Sequence, residues 1–155
     1  MLYFDSSALI KRYVQEKGSE KVGKNLRDEE EASRPVFTSV LTFAEIHAAL
    51  ARRAKDRSLS SDEFIRARTN FDSDWLSGLS AVDLGPGVLR IVRNTVDQFA
   101  LRGADMVHLA SAIWLRDIAV KTRSRDPLVL LTSDRLLAKA AAGCGLEVLN
   151  PEVMP

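Results

Sequence analysis

Four acidic residues of this sequence occupy positions from which a sheet could gather them. Asp5 ends a short apolar run, and Asp134 follows another one near the end of the chain. Glu45 lies in a helical pattern among apolar neighbours, and Asp105 begins the most apolar helix. Carboxylates crowded together repel one another, and a divalent cation relieves that repulsion. Ligands that are all oxygen suit Mg²⁺ or Mn²⁺ rather than Zn²⁺, so the four acids predict a magnesium-type site.

A carboxylate-held metal ion supports phosphodiester hydrolysis without a covalent nucleophile, because it activates water and stabilises developing charge. Hydroxyl groups beside such acids commonly hold the ligands in place. Each acid also has an ordinary structural explanation. Asp105 and Asp134 could cap helices, and Asp5 could be a turn residue at a strand end. Glu45 is hardest to explain this way, since a carboxylate among apolar side chains needs a partner.

The elements that would position these acids follow from the apolar patterns. Strands are predicted at residues 2–4, 36–39, 79–84, 128–131 and 146–149. Helices are predicted from residue 8, over 16–32, 41–54, 61–75 and 88–99, from 104 onward and over 135–142. This alternation predicts an α/β fold, a three-layer α/β/α sandwich with a mainly parallel central sheet. We expect one domain over residues 1–155, with ligands at the carboxyl edge of the sheet.

Other polar residues fit this edge less well. Asp126 precedes its strand and belongs at the opposite edge, whereas Asp83 meets the condition only weakly. His108 follows Asp105 by three residues and can share its helix face, but packing or hydrogen bonding explains it better than catalysis. Lys11 and Arg12 follow the first acid and could reach a phosphate or simply be solvated. The sequence leaves those two readings open.

Composition limits the classes of protein that remain. The chain has 155 residues, 46% hydrophobic and 28% charged, with a net charge of +1 and one cysteine. No apolar run is long enough to cross a bilayer, and the first residues do not resemble a signal peptide. We therefore expect a cytoplasmic protein with no membrane association. The near-neutral charge neither supports nor excludes a nucleic-acid partner.

Four segments resemble, in order, a PIN-domain protein of the VapC toxin type. They are YFDSSALIKRYVQE at 3–16, TFAEIHAALAR at 42–52, ADMVHLASAIWL at 104–115 and LLTSDRLLAKAA at 130–141. Any one of these segments is weak evidence, but together they are fairly specific.

The resemblance implies a small Mg²⁺-dependent endoribonuclease, the toxin of a VapBC-type toxin–antitoxin pair. It also implies an RNA substrate, a homodimer and a cognate VapB-type antitoxin that holds the enzyme inactive. The family's acids map onto Asp5, Glu45, Asp105 and Asp134, and the last of these varies in placement within the family. The family's hydroxyl and polar residues beside the acids map onto Ser6 and onto Thr132 or Ser133, which we expect to hydrogen-bond the ligands.

Two expectations concern partners. The helices over 41–54 and 61–75 carry more apolar surface than one sheet face needs, which favours a two-fold homodimer. An acidic cleft should attract a basic peptide, so we expect the antitoxin to send an Arg or Lys toward the acids near Glu45.

Three other classes of protein share part of this pattern. A phosphotransfer receiver domain needs paired acids after its first strand, where this chain has serines. A haloacid-dehalogenase-like phosphatase needs an acid two residues after the first one, where this chain has Ser7. A catalytically inactive PIN-like module that binds protein or RNA stays possible, although all four acids are present.

Overall fold

A parallel five-stranded sheet forms the centre of the protein. The computed structural model describes residues 1–124 and 126–153. The strands are β1 (Leu2–Phe4), β2 (Val36–Ser39), β3 (Leu79–Val82), β4 (Val129–Leu131) and β5 (Glu147–Leu149), arranged in the order β3-β2-β1-β4-β5. Every neighbouring pair is parallel. The predicted α/β class is confirmed.

Helices cover both faces of this sheet. They are α1 (Ser6–Leu9, extended by a 3-10 turn over Ile10–Arg12), α2 (Ser19–Glu31), α3 (Leu41–Lys55), α4 (Ser61–Ser77), α5 (Pro86–Thr95), α6 (Gly103–Lys121) and α7 (Arg135–Gly143). One buried cluster joins the sheet to α5, α6 and α7, and a second joins it to α1 through α4. The predicted three-layer sandwich is therefore the observed arrangement.

The central strand β1 shows why the sheet is buried on both sides. Tyr3 belongs to the α5–α7 cluster, whereas Leu2 and Phe4 belong to the opposite one. Tyr3 and Phe4 are both fully buried. A strand covered on both faces reads as a continuous apolar run, which is the pattern that predicted it. Burial of a side chain such as Phe4 contributes roughly 1.5–3 kcal/mol to folding.

Several element boundaries differ from the sequence prediction. The strand expected to reach residue 84 ends at Val82, and α5 begins at Pro86, two residues before its predicted start. Proline suits a first helical position because its missing N–H has no intrahelical acceptor there. The helix expected from residue 16 starts at Ser19, after Gly18 with φ of 92°. A Cβ atom at Gly18 would lie 2.9 Å from the carbonyl oxygen of Pro151. Both this close approach and the positive φ therefore favour glycine at this position.

Across the described ranges 1–124 and 126–153, no helix combines the length and the apolar character needed to span a bilayer.

Candidate active site

Asp5 stands directly after the central strand and is almost completely buried, with 3% of its surface exposed. Its Oδ1 accepts a hydrogen bond from the Ala8 backbone N–H at 2.9 Å, which caps α1. Its Oδ2 accepts one from Thr132 Oγ1 at 2.7 Å, and Ser7 Oγ lies 2.9 and 2.8 Å from the two oxygens. Burial raises the pKa of Asp5, opposed by the nearby His108 and by these hydrogen bonds.

Hydrogen bonds around the Asp5 carboxylate connect the segment that follows β1 to the segment that follows β4. Thr132 Oγ1 also accepts from the backbone N–H of Asp134 at 3.0 Å, and Ser7 Oγ accepts from that of Ser133 at 2.9 Å. Thr132 therefore holds Asp5 by a hydrogen bond. Ser133 contributes through its backbone. Sequence reasoning did not single out Ser7, whereas Ser6 lies beside Glu45, and its hydrogen bond lowers the pKa of that acid.

Glu45 lies on α3 and is partly exposed, and its Oε2 is 2.8 Å from Nε2 of His108. Partial burial opposes ionisation of Glu45, but the hydrogen bond from His108 lowers its pKa below the ordinary value. His108 is 1% exposed, and its Nδ1 is 3.0 Å from the Tyr3 hydroxyl. The carboxylate among apolar residues thus has the partner that its burial requires.

Asp105 lies in the first turn of α6, and no side chain caps the start of that helix. Its pKa is raised, first by burial and then by the negative charges of Asp134 and Glu45, with His108 acting in the opposite direction. Asp134 and Glu45 therefore lie close enough to Asp105 for their charges to raise its pKa, and His108 acts on both Asp105 and Asp5. The grouping of all four acids around one metal ion stays a prediction.

Asp134 has the structural role of capping a helix, which the sequence allowed for it. It is the N-cap of α7, and its Oδ1 accepts from the backbone N–H groups of Leu136 at 2.7 Å and Leu137 at 2.9 Å. Those bonds occupy one carboxylate oxygen. A ligand role for Asp134 would therefore rest on the other oxygen, Oδ2.

Lys11 and Arg12 are engaged in ion pairs. Lys11 is 4% exposed, and its Nζ lies 2.7 Å from Glu16 and 2.8 Å from Glu152. Arg12 Nε lies 2.8 Å from Asp74. These partners satisfy both cations, so the structure favours structural roles for them over phosphate binding.

An open cleft of about 610 Å³ lies along α3, and Glu45 is the member of the four acids that lines it. Its walls also include Ser6 and Ser7, the acids Glu16 and Glu152, and the basic residues Lys11, Arg52 and Arg53. Lys11 and Arg53 are paired with these two acids, whereas Arg52 is exposed to solvent. The cleft therefore places Glu45 and one exposed cation on the same surface.

The donor chemistry of these residues fits a divalent cation. All four acids offer hard oxygen ligands. Burial raises the pKa of Asp105, and so does repulsion by Asp134 and Glu45, which a nearby cation would relieve. The side chains are not already closed around such an ion, because no three acidic, histidine or cysteine residues within 1–124 and 126–153 are grouped to hold a metal. His108 engages Oε2 of Glu45, and the N–H groups at the start of α7 engage Oδ1 of Asp134, so a cation would use the other oxygen of each carboxylate.

A parallel sheet with a buried aspartate after its central strand, and further acids at the same edge, defines an α/β/α domain with an acidic centre at its carboxyl edge. The family model for the PIN domain matches residues 2–143. The chain belongs to the PIN domain family, and the resemblance stated from the four segments is confirmed.

Named relatives and solved structures agree with that family. The chain is 32% identical to Ribonuclease VapC45 of Mycobacterium tuberculosis strain CDC 1551 / Oshkosh and to Ribonuclease VapC49 of strain ATCC 25618 / H37Rv, over 155 residues that cover 100% of this chain and 99% of each relative. The FitAcB crystal structure from Neisseria gonorrhoeae matches with a TM-score of 0.68 at 17% identity, over 99% of this chain and 100% of that one. The structure of FitAB bound to an IR36 DNA fragment matches with a TM-score of 0.64 at 16% identity, over 100% of this chain and 98% of that one. At these identities the two structures establish a shared fold.

Proposed function

We propose that this chain is a Mg²⁺-dependent endoribonuclease, the toxin of a VapBC-type toxin–antitoxin pair. The observation that supports the proposal is the acidic edge: Asp5 is buried directly after β1 and hydrogen-bonded to Thr132, and burial together with the charges of Asp134 and Glu45 raises the pKa of Asp105. Full-length relatives that are named ribonucleases support the same reading.

Asp5, Glu45, Asp105 and Asp134 are the residues that would hold Mg²⁺ or Mn²⁺. A divalent ion bound there supplies water activation and neutralises charge on the scissile phosphate.

The chain's own groups position the acids and the substrate. Asp5 cannot swing away, because Ala8, Ser7 and Thr132 all donate to its carboxylate. Arg52 lies seven residues after Glu45 on α3, and both line the same cleft. In this proposal Arg52 contacts the RNA backbone, where a cation positions the strand without reading its sequence.

The same cleft is the proposed contact for the VapB-type antitoxin. A basic side chain of that partner would pair with the acids near Glu45 and exclude both cation and RNA.

Exposed apolar side chains on α3 and α4 support the proposed homodimer. Phe43 is 41%, Ile65 53% and Leu76 86% exposed. Burying such residues against a second copy would remove apolar surface from water.

The proposal is tested by Asp105→Asn, with Asp126→Asn as the matched control. Both variants make the same chemical change, but Asp126 precedes β4 at the opposite edge of the sheet. Mn²⁺ affinity is measured by calorimetry, and cleavage of a mixed RNA pool is measured in Mg²⁺. We expect Asp105→Asn to weaken Mn²⁺ binding and to slow cleavage by about 100-fold or more, whereas the control matches the wild type.

Two results would count against the proposal in different ways. Equal cleavage by both variants would remove Asp105 from the site. A wild-type chain that binds RNA but never cleaves it, in Mg²⁺ or Mn²⁺, would favour the inactive binding module instead.

A further inference from the structure

A buried chain of hydrogen bonds runs from the sheet to the acidic edge. Tyr3 lies on the central strand and is 0% exposed, and its hydroxyl is 3.0 Å from Nδ1 of His108. The other ring nitrogen of His108, Nε2, is 2.8 Å from Oε2 of Glu45. The rings of Tyr3 and His108 meet edge to face, with centroids 6.0 Å apart. A histidine of the core thus joins the central strand to an acid that lines the cleft.

The donors and acceptors in this chain have one consistent arrangement for a neutral ring. An ionised carboxylate only accepts, so Nε2 must carry a proton and donate to Glu45. The other nitrogen of a neutral imidazole is then an acceptor, and it needs a donor. Burial raises the pKa of Tyr3 far above its ordinary value, so the phenol keeps its proton and fills that need. Tyr3 therefore fixes the tautomer that serves Glu45.

We propose that His108 is a positioning residue, locked as the Nε2–H tautomer by Tyr3, which holds Glu45 where it can bind the divalent cation of the acidic edge. This inference rests on the proposed function, because the cation is the one assigned there. Partners that hold metal-ligating groups commonly change metal affinity by about 10- to 100-fold when they are replaced. His108 itself contacts neither cation nor RNA in this proposal.

Packing alone does not explain this residue. An apolar side chain would fill a buried site between helix and sheet without needing partners, whereas both nitrogens of His108 meet specific groups. A buried polar group is retained only when it is hydrogen-bonded. The contact to Glu45 joins residues that are 63 positions apart in the sequence. It therefore connects α3, which carries Glu45, to α6, which carries Asp105.

The two contacts can be separated by amide substitutions. In His108→Gln the amide nitrogen lies near the place of Nε2, so donation to Glu45 is kept while the Tyr3 contact is lost. In His108→Asn the amide lies near the place of Nδ1, so the Tyr3 contact is kept while Glu45 is out of reach. Tyr3→Phe keeps the ring of His108 and removes only the hydroxyl that fixes its tautomer.

Three measurements are made, the last two on every variant. Nitrogen-15 NMR of the metal-free wild type and of Tyr3→Phe at neutral pH reports which ring nitrogen of His108 carries the proton. Calorimetry reports Mn²⁺ affinity, and RNA cleavage is followed as a function of Mg²⁺ concentration. We expect the Nε2–H tautomer in the wild type. His108→Asn should bind Mn²⁺ at least about tenfold more weakly, and His108→Gln should stay within about threefold of the wild type.

Cleavage should separate affinity from turnover. The Mg²⁺ concentration for half-maximal cleavage should rise about tenfold in His108→Asn, while the rate at saturating Mg²⁺ changes by less than about threefold. Tyr3→Phe should show a mixture of tautomers and an intermediate loss of Mn²⁺ affinity. If His108→Asn does not fold, the comparison of Tyr3→Phe with His108→Gln carries the same test.

Several results would overturn the inference. A wild-type ring protonated on Nδ1 alone would contradict the proposed tautomer. Tighter Mn²⁺ binding in His108→Asn would mean that His108 withholds Glu45 from the cation. Equal affinities in both amide variants, with lower thermal midpoints, would leave only a packing role, and a wild type that binds no Mn²⁺ would also refute it. Failure of the proposed function looks different: RNA stays uncut while the tautomer and the difference in Mn²⁺ affinity are still observed.

Discussion

Replacing Thr132 by Val tests whether its hydroxyl group holds the acidic edge together. The substitution keeps the branched shape and removes one oxygen that is fully buried. That oxygen donates to Asp5 Oδ2 at 2.7 Å and accepts from the backbone N–H of Asp134 at 3.0 Å. Thr132→Val therefore breaks two hydrogen bonds and leaves a backbone donor without its partner.

The expected loss of stability follows from those two bonds. A hydrogen bond to an ionised group contributes roughly 1.5–3 kcal/mol, and an unpaired buried donor costs roughly 1–3 kcal/mol. Ser7 still donates to Asp5, and Asp134 is only partly buried, so the effects do not add fully. We expect a decrease of about 2–4 kcal/mol in the free energy of unfolding. For a chain of this size that lowers the thermal midpoint by about 5–15 °C.

The pH dependence has a definite sign. Burial raises the pKa of Asp5 in the folded chain, so ionisation of Asp5 lowers stability as the pH rises through that folded pKa. The hydrogen bond from Thr132 opposes this effect by favouring the ionised form. Its removal raises the pKa of Asp5 further, so the difference between wild type and Thr132→Val should grow as the pH rises through the raised folded-state pKa of Asp5.

Urea unfolding in metal-free buffer at several pH values measures this difference. Thr69→Val is the matched control, because Thr69 is exposed on α4 and should change stability by less than about 0.5 kcal/mol. A loss for Thr132→Val no larger than that of the control, or one that does not vary with pH, would refute the account given for Asp5.

Three further predictions concern other parts of the molecule. Ser60→Ala should lower the free energy of unfolding by about 1 kcal/mol in urea, because it removes the capping box at the start of α4. Lys11→Met should destabilise by about 1–3 kcal/mol at pH 7, because it leaves the carboxylates of Glu16 and Glu152 without their cation. Burial opposes the charge of Lys11, but its two partners raise its pKa, so its contribution should persist at neutral pH and disappear as the pH rises through that raised value. A Lys11→Met effect that does not diminish at any alkaline pH where the chain stays folded would contradict this. Ile65→Arg should convert the proposed homodimer to a monomer in light scattering, and an unchanged mass would exclude that part of α4 from the interface.

The parts of the fold that were predictable are those set by local pattern. Continuous apolar runs identified the strands, and an acid directly after a run identified Asp5 and the edge of the sheet. The position of Asp134 after β4 followed in the same way, and so did its second role as a helix cap. These inferences need only periodicity and the rule that parallel strands end at one edge.

The parts that were not predictable depend on contacts between distant residues. Lys11 pairs with Glu152, 141 residues away in the sequence, and Arg12 pairs with Asp74, 62 residues away. The sequence around these two cations therefore does not show whether they form ion pairs or bind a phosphate. The choice between Ser6 and Ser7 is different, because it is local. Asp5 caps α1 with extended backbone angles, which brings Ser7 back to its carboxylate. The conformation of the cap decides which of the two serines contacts the carboxylate, and the sequence pattern does not specify that conformation.

The position of β1 between β2 and β4 has a consequence for how the protein is made. β1 is synthesised long before the partners that fix Asp5: β4 pairs with β1, Leu131 accepts the Asp5 backbone N–H, and Thr132 lies 127 residues after Asp5. Until β4 is available, the middle strand of the sheet has an open edge in the growing polypeptide. Contacts that close such long loops form slowly. The acidic edge therefore forms only after β4 has been synthesised, long after its first carboxylate.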